Sequence, residues 1–388
     1  MKHLLMLSYP FPPNASAGAV RSERFARYLP RFGWGVDVVS IQARKDMFGD
    51  TGRLKALGHH VTVNFTLTLD PWLRLRDKKP ENPVSRVLRS LLMRIFSFPD
   101  HMLLWVPFAV KMGLQVRKKK PIDAIYTTSP PHSTHLAGLI VSRLTGKPWI
   151  ADFRDPWTLN AYRDRGFIEQ GLLRLERVLE KVALKKASVI LANTKANRSN
   201  LLSAFPFLDE RKVVLLPNGW EEFPLESYGK GKTNGPLTIV HAGNFYPRFK
   251  PFGLLNALAA WRNCEKSWSN ASLKPRDIKI VLLGAKDEET AKTVRELGVG
   301  DFVEFRPWVS LEEARGIMCQ ADLLWASLGT NKESSTYVPS KLFEYIAARR
   351  PIIGFFPSGE AEKLINETGT GIVFTSDEIE PILAFLSR

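Results

Sequence analysis

Apolar residues along this chain fall in short, nearly continuous runs, separated by stretches whose apolar positions recur with helical period. Lys2–Tyr9, Gly35–Ile41, His60–Phe65, Asp123–Thr128, Pro148–Phe153, Ser188–Asn193 and Val213–Pro217 each read as a buried strand. Ser22–Leu29, His135–Leu144 and Gln170–Lys186 read as helices between them. Strands that lack polar alternation need cover on both faces, so the pattern predicts a parallel sheet with helices on either side. The rhythm stops at residues 219–236, rich in Gly, Pro and Lys, which read as a linker. It resumes with strands at Leu237–Ala242, Ile278–Leu283, Phe302–Phe305, Leu323–Ser327 and Ile352–Phe356, and Ser310-Leu-Glu-Glu313 is a capping box that opens one helix. The expected architecture is α/β: two Rossmann-like, doubly wound domains, 1–218 and 237–388, facing a central cleft. Such sheets bind ligands beyond the carboxyl ends of their strands.

An insertion of about 66–120 breaks the first half. In Val84-Ser-Arg-Val-Leu-Arg-Ser-Leu-Leu-Met-Arg-Ile-Phe96 the apolar residues share one helical face, with Arg86, Arg89 and Arg94 off it. Either this helix packs on the sheet with solvated arginines, or it lies in a membrane surface with its arginines on anionic headgroups. Trp105 and the run Arg117-Lys-Lys-Lys120 add weight to the second reading.

Size and composition fit this plan. A chain of 388 residues exceeds what one core usually organises, and 44% hydrophobic content supplies two. The two cysteines, Cys264 and Cys319, exclude a disulfide framework and lack metal-ligand spacing. No cleavable signal is recognisable and no apolar run reaches the roughly 18 residues of a membrane span. A cytoplasmic protein, peripheral on the inner face of the plasma membrane, is the expectation. The net charge of +16 is uneven, residues 1–120 holding 21 Lys and Arg against 8 Asp and Glu. That excess suits nucleic acid, anionic lipid or polyphosphate ligands.

Several chemistries are missing. There is no Gly-x-x-x-x-Gly-Lys phosphate loop, His-Glu-x-x-His zinc site, Gly-x-Ser-x-Gly elbow, Asp-x-Asp pair or Gly-x-Gly-x-x-Gly fingerprint. What remains is phosphate binding by helix amides and cationic side chains, and four segments offer it. Ser8–Arg21 joins the first strand to its helix, and Gly18 permits close backbone approach there, unless the segment is an ordinary turn. Gly243-Asn-Phe-Tyr-Pro-Arg-Phe-Lys250 follows the first strand of the second half, with Arg248 and Lys250 placed for a diphosphate or simply solvated. Pro339 and Ser340 open a helix whose first amides, with Lys341, suit a phosphate. Glu344, one turn on among Leu342, Phe343, Tyr345 and Ile346, either receives ribose hydroxyls or pairs with Arg349 or Arg350. Finally, Tyr126–His135 and Asp152-Phe-Arg-Asp-Pro-Trp157 bring His132, His135, Asp152, Arg154, Asp155 and Trp157 to first-domain strand ends; the histidines otherwise cap a helix, and the aspartates otherwise pair with Arg154.

These residues carry a resemblance. The chain is similar to bacterial glycosyltransferases of family 4, with the GT-B fold, over nearly its whole length. Pro-Ser-Lys-Leu-Phe-Glu-Tyr-Ile-Ala-Ala-Arg-Arg-Pro-Ile-Ile is the most specific piece. Thr-Thr-Ser-Pro-Pro-His-Ser and Trp-Ile-Ala-Asp-Phe-Arg-Asp-Pro-Trp resemble a subgroup that builds surface polysaccharides. The resemblance implies a nucleotide-sugar donor held by the second domain, a glycan or lipid-linked acceptor held by the first, and transfer with retention of configuration, without cofactor or metal. It implies a donor site of Gly18, Gly243, Asn244, Arg248, Lys250, Thr336, Pro339, Ser340, Lys341, Leu342 and Glu344. The catalytic set is His132, Asp152, Arg154, Arg248 and Lys250, and His135, Asp155 and Trp157 lie on the acceptor side. Glu344 matches the second glutamate of the family's Glu-x7-Glu motif. Two positions depart: Thr336 replaces the first glutamate, and Asn244 stands where an arginine is usual, which leaves the phosphates to Arg248 and Lys250.

Two rivals accompany this reading. A nucleotide-sugar epimerase or hydrolase uses the same fold, and fold alone does not choose between them. A nucleic-acid-binding protein would exploit the charge, but the aromatic and basic interleaving of a single-strand platform is weak, so no nucleic-acid partner is expected.

Overall fold

The computed structural model describes residues 1–14, 16–42, 50–69, 82, 98–160, 167–223, 228, 235–245, 252–263, 277–284 and 288–386. The chain divides into two compact units, Met1–Pro217 and Asn218–Arg388.

The first unit runs β1 (Lys2–Leu7), α1 (Ala17–Tyr28), β2 (Trp34–Ile41), α2 (Thr51–Lys55) and β3 (Val61–Thr66). It continues with α3 (Val106–Lys119), β4 (Ala124–Ser129), α4 (Ser133–Thr145), β5 (Trp149–Phe153), α5 (Phe167–Lys186), β6 (Val189–Ala192), α6 (Lys195–Ala204) and β7 (Val213–Leu215). These strands form one 7-stranded parallel sheet, in the order β3-β2-β1-β4-β5-β6-β7. Alternate side chains of β1 feed separate cores: Leu5 and Leu7 join Trp105, Trp149 and Trp157 on one face, while Leu4 and Met6 join Phe11 and Val38 on the other.

The second unit runs β8 (Leu237–Ala242), α7 (Gly253–Arg262), β9 (Ile278–Leu283), α8 (Glu288–Glu296), β10 (Val303–Arg306) and α9 (Leu311–Gln320). After these come β11 (Leu323–Ser327), α10 (Ser340–Ala348), β12 (Ile352–Phe355), α11 (Glu360–Thr368), β13 (Gly371–Phe374) and α12 (Ile379–Leu386). Its 6-stranded parallel sheet has the order β10-β9-β8-β11-β12-β13. Ile239 and Val240 of β8 likewise enter opposite cores. In each sheet the strand order reverses once, between β1 and β4 and between β8 and β11.

Several expectations need adjustment. The first helix starts at Ala17 rather than Ser22, so Gly18 lies inside its first turn. Trp105, offered above as an interfacial anchor, is fully buried in the first core and donates its indole N–H to Thr66 Oγ1 at 2.8 Å. Lys120 of the basic run bridges Asp37 at 2.8 Å. The Val84–Phe96 stripe and Cys264 lie outside the described residues, as does most of 219–236. Cys319 is buried and free. No helix among the described residues is long and apolar enough to cross a membrane.

One close approach fixes the first unit's middle layer. A Cβ on Gly138 of α4 would come 2.7 Å from the Trp149 indole nitrogen, and closer still to the Thr127 methyl group. At Gly138 the helix therefore meets β4 and β5 with a hydrogen alone. Gly138→Ala is expected to cost about 1–3 kcal/mol by overpacking, read as a lower urea midpoint with an unchanged slope.

Candidate functional site

In the second unit, four elements bring polar groups to the carboxyl end of β8. Gly243 ends the strand with φ of 89°, a left-handed conformation that favours glycine, and its amide donates to Leu283 O at 2.8 Å. This turn exposes Asn244 and lets the Lys341 side chain lie across it. Lys341 is the second residue of α10. Its Nζ donates to His241 Nε2 at 2.9 Å and to Asn244 O at 3.2 Å. His241, fully buried on β8, donates from Nδ1 to Trp325 O at 2.9 Å, across the β8–β11 reversal, and this bond leaves Nε2 as the acceptor. Its ring stacks on Phe245, with centroids 3.7 Å apart. Burial, and then the neighbouring Lys341, hold the imidazole well below its usual range. Burial also pulls the lysine down to about 7.

The start of α10 is open. Pro339 occupies the N-cap position without a side-chain cap, and Ser340 is exposed. Amides of a first helical turn without intrahelical partners attract anions. Lys341, Ser340, Pro339, Gly243 and Asn244 thus come together as expected, and Thr336 closes the turn just before them. Leu342 contributes backbone only, since its side chain is fully buried in the core.

Glu344 has a partner that the sequence did not suggest. Arg315 of α9 donates from Nε to its Oε2 at 3.1 Å, and the same guanidinium reaches Glu221 at 3.5 Å. The anticipated arginines go elsewhere: Arg350 donates to Cys319 O at 2.7 Å, and Arg349 ends α10 in a left-handed conformation. Arg248 and Lys250 lie outside the described residues.

The first unit holds a different cluster at its strand ends. Asp152, on β5, is fully buried, and its carboxylate is saturated. Arg21 of α1 grips it with two bonds of 2.8 and 3.0 Å, while the Tyr126 and Thr128 hydroxyls donate to the same group. Arg21 also donates to Leu216 O at 2.8 Å and Pro217 O at 3.0 Å, tying α1, β4, β5 and the exit of β7 together. The carboxylate considered for catalysis is therefore a structural counter-ion.

Around it, Arg154 lies against Gly18. A Cβ there would sit 3.1 Å from its guanidinium, so what approaches the glycine backbone is this arginine. Asp155 pairs with Arg154 at 3.8 Å, and its low-dielectric surroundings raise its carboxyl, with Arg154 opposing. Trp157 and His135, expected on the acceptor side, are both fully buried. Trp157 donates to Glu176 at 2.8 Å, and His135 bonds Thr127 at 2.8 Å while stacking on Phe153. Burial drives His135 down to about 3, so it stays neutral. His132 lies nearer the surface, stacked on Trp157 with ring planes 2° apart. Asp100, rather than either histidine side chain, caps α4, accepting from Ser133 N and Oγ at 2.8 and 2.7 Å. Among the described residues, no group of three or more His, Cys, Asp or Glu side chains is placed to hold a metal ion.

Sequence reasoning missed Arg21, His241 and Arg315. A histidine inside Thr-Ile-Val-His-Ala-Gly was a readable signal, because a buried strand does not carry one idly. Arg21 ended a quoted segment but was given no role, and nothing marked Arg315 among the other cations.

Two parallel α/β sheets, each reversing its strand order once and each collecting polar side chains at its strand ends, have the architecture of the GT-B fold. The chain belongs to the glycosyl transferase 4-like domain family, whose model matches residues 16–219. Its fold is similar over its whole length to that of HepE from Anabaena, solved with UDP and glucose, at a TM-score of 0.64 and 15% identity with 89% of that chain covered. Sucrose-phosphate synthase from Thermosynechococcus elongatus gives a TM-score of 0.61 and 14% identity over 99% of this chain and 88% of that one. A UDP-N-acetylglucosamine 2-epimerase gives 0.51 and 11%, over 99% and 86%. None of the curated proteins matches the chain in sequence.

Two outcomes follow. Removing one partner of the Arg21–Asp152 pair leaves a buried charge uncompensated, so Asp152→Ala should lose about 3–5 kcal/mol in denaturant unfolding, and Arg21→Met with Asp152→Leu together should lose less. Lys341, held near 7 against the ordinary 10.5, makes the folded state bind fewer protons than the unfolded chain between those values. Stability from this group therefore rises with pH across that window. Melting temperatures of wild type and Lys341→Met, compared from pH 6 to pH 9, should converge as pH rises.

Proposed function

We propose that the protein transfers a sugar from a nucleotide-sugar donor to a glycan or lipid-linked acceptor, with retention of configuration, in the synthesis of a cell-surface polysaccharide. The observation that carries this reading is Lys341: a cation at the end of β8, beside an uncapped helix start, whose partners are a neutral ring nitrogen and a carbonyl. Such a site lacks a negative charge, and a diphosphate supplies one. HepE, of the same fold, was solved with UDP-glucose, which supports a nucleotide sugar as the ligand class. The polysaccharide role rests on the motifs around His132 and Asp152.

In this reading the diphosphate sits against Ser340, Lys341 and the turn at Gly243, with Arg248 and Lys250 completing the cradle from the segment after β8. As the bond from the sugar carbon to the phosphate oxygen breaks, its electron pair leaves with the diphosphate. Cations and amides already in place stabilise that charge without reorganising, in the role a metal ion would otherwise take. The acceptor hydroxyl oxygen forms the new bond to the sugar carbon, and its proton passes to the departing phosphate oxygen. The oxocarbenium-like sugar would gain from a polar group of the first unit, for which the resemblance offers His132. Glu344 receives the ribose hydroxyls, and Arg315 holds its carboxylate in orientation. The acceptor, if lipid-linked, lies at a membrane surface, to which a cationic face of the protein would dock.

A nucleotide-sugar 2-epimerase is the second reading, favoured by the fold it shares with this chain. Donor incubated alone separates the two, since an epimerase brings it to an equilibrium mixture of epimers and a transferase needs an acceptor.

Thermal-shift screening of sugar nucleotides should give one whose addition raises the melting temperature, because a ligand bound to the native state stabilises it. Glu344→Gln should bind that ligand roughly tenfold or more weakly, reflecting a lost charge-assisted bond, while its unliganded melting temperature falls modestly because Arg315 loses one of its carboxylates. Full affinity in that variant would remove Glu344 from the ribose. Donor affinity should also weaken as pH rises from 7 to 9, with proton uptake measured calorimetrically in buffers of different ionisation enthalpy. A pH-independent affinity would remove Lys341 from the phosphates.

A further inference from the structure

From Gly171 to Lys186, helix α5 turns its two carboxylates inward and its cations outward. Glu176 and Glu180 are buried, the first accepting from the Trp157 indole and the second from the Thr158 hydroxyl and amide. From Gly171 to Lys186 the exposed charged residues are all basic: Arg174, Arg177, Lys181, Lys185 and Lys186. Between them, at helical spacing, Leu175, Val178 and Val182 stand 57, 59 and 40% exposed. Phe207, 41% exposed, lies alongside, with Lys181 and Lys185 Nζ at 5.8 and 5.1 Å from its ring. The acids that follow it are paired already, Asp209 with Arg211 at 2.7 Å and Glu210 with Arg198 at 2.9 Å.

We propose that this outer face of α5, with Phe207, is where the protein docks on an anionic lipid bilayer. The proposal rests on the reading that the acceptor is membrane-borne, and it names the surface that meets it. A convex helix face of aliphatic side chains ringed by cations fits a plane with an apolar interior and anionic headgroups: the aliphatics enter the acyl boundary, and the long basic side chains snorkel to phosphate. Other occupants match less well. A second copy meeting the same face would oppose cation to cation, which a two-fold interface cannot relieve. The chain's own stripe at 84–96 carries Arg86, Arg89 and Arg94 and no acid, so it offers no complementary charge. Nucleic acid would satisfy the cations but leave the aliphatics exposed, since they give bases nothing to stack on.

The test is sedimentation of the full chain with phosphatidylcholine vesicles, alone or with roughly one-third phosphatidylglycerol. Wild type should bind the anionic vesicles and not the neutral ones, with binding lost as salt rises. Val178→Glu with Lys181→Glu should weaken binding at least tenfold. Lys181→Ala with Lys185→Ala, milder to folding, should weaken it several-fold, both with unchanged melting temperatures. Wild-type binding that both variants retain overturns α5 as the surface while leaving a membrane-borne acceptor standing. No binding by wild type overturns both. Equal binding to neutral and anionic vesicles overturns the electrostatic match, and a wild-type dimer abolished by Val178→Glu with Lys181→Glu assigns the face to a second copy instead.

Discussion

A parallel sheet whose strand order reverses cannot be covered at the reversal. The chain leaves the two central strands toward opposite edges, so their carboxyl ends keep a gap that no crossover helix fills. Both units have that gap, β1 against β4 and β8 against β11. In both, a helix following one of the two strands sends a cation back across it. Arg21 comes from α1, after β1, and reaches Asp152 beside β4. Lys341 comes from α10, after β11, and reaches His241 on β8. The topology dictates the placement, and the residues there decide what it is for.

The two cations meet opposite electrostatic circumstances. Arg21 finds a bidentate carboxylate, supported by two hydroxyls, and two further carbonyls. Its charge is neutralised within the fold, nothing is left to offer an anion, and the result is a tie between elements distant in sequence. Lys341 finds an imidazole nitrogen and a carbonyl, both neutral. Those acceptors orient the amine without compensating it, which is why burial holds it near 7. A buried cation without a counter-ion is costly, and proteins keep one where a ligand brings the missing charge. On the proposed reading, the second unit is accordingly the one whose strand ends would receive a diphosphate.

The sequence made the fold readable because buried parallel strands announce themselves as unbroken apolar runs. It was weakest where that signal fades: β13 spans only Gly371–Phe374 with no residue fully buried, and neither it nor α12 was anticipated. The donor-side residues were readable as a group because Pro339, Ser340 and Lys341 begin a helix and Gly243 ends a strand, both local facts. The contact of Lys341 with His241 was not, since the two stand 100 residues apart and only the register of β8 against β11 joins them. In the first unit the same limit hid the partners. Asp152, His135 and Trp157 are polar or amphipathic residues in a cluster, which suggests a site, yet each is consumed by a buried partner that local pattern does not reveal.

Those buried partners have consequences on the opposite surface. Trp157 and Thr158, in the loop after β5, need acceptors, and α5 supplies them with Glu176 and Glu180, one turn apart. Burial pushes the Glu180 carboxyl up to about 7, although Thr158 donates to it. Committing both glutamates inward leaves the solvent side of that stretch without any acid to balance its lysines and arginines. The loop that carries Arg154 and Asp155 is thus steadied by the same residues whose inward turn makes the outer face cationic. Internal order near the strand ends and external charge are two results of one helix's side-chain pattern, and a substitution at Glu176 or Glu180 would change both together.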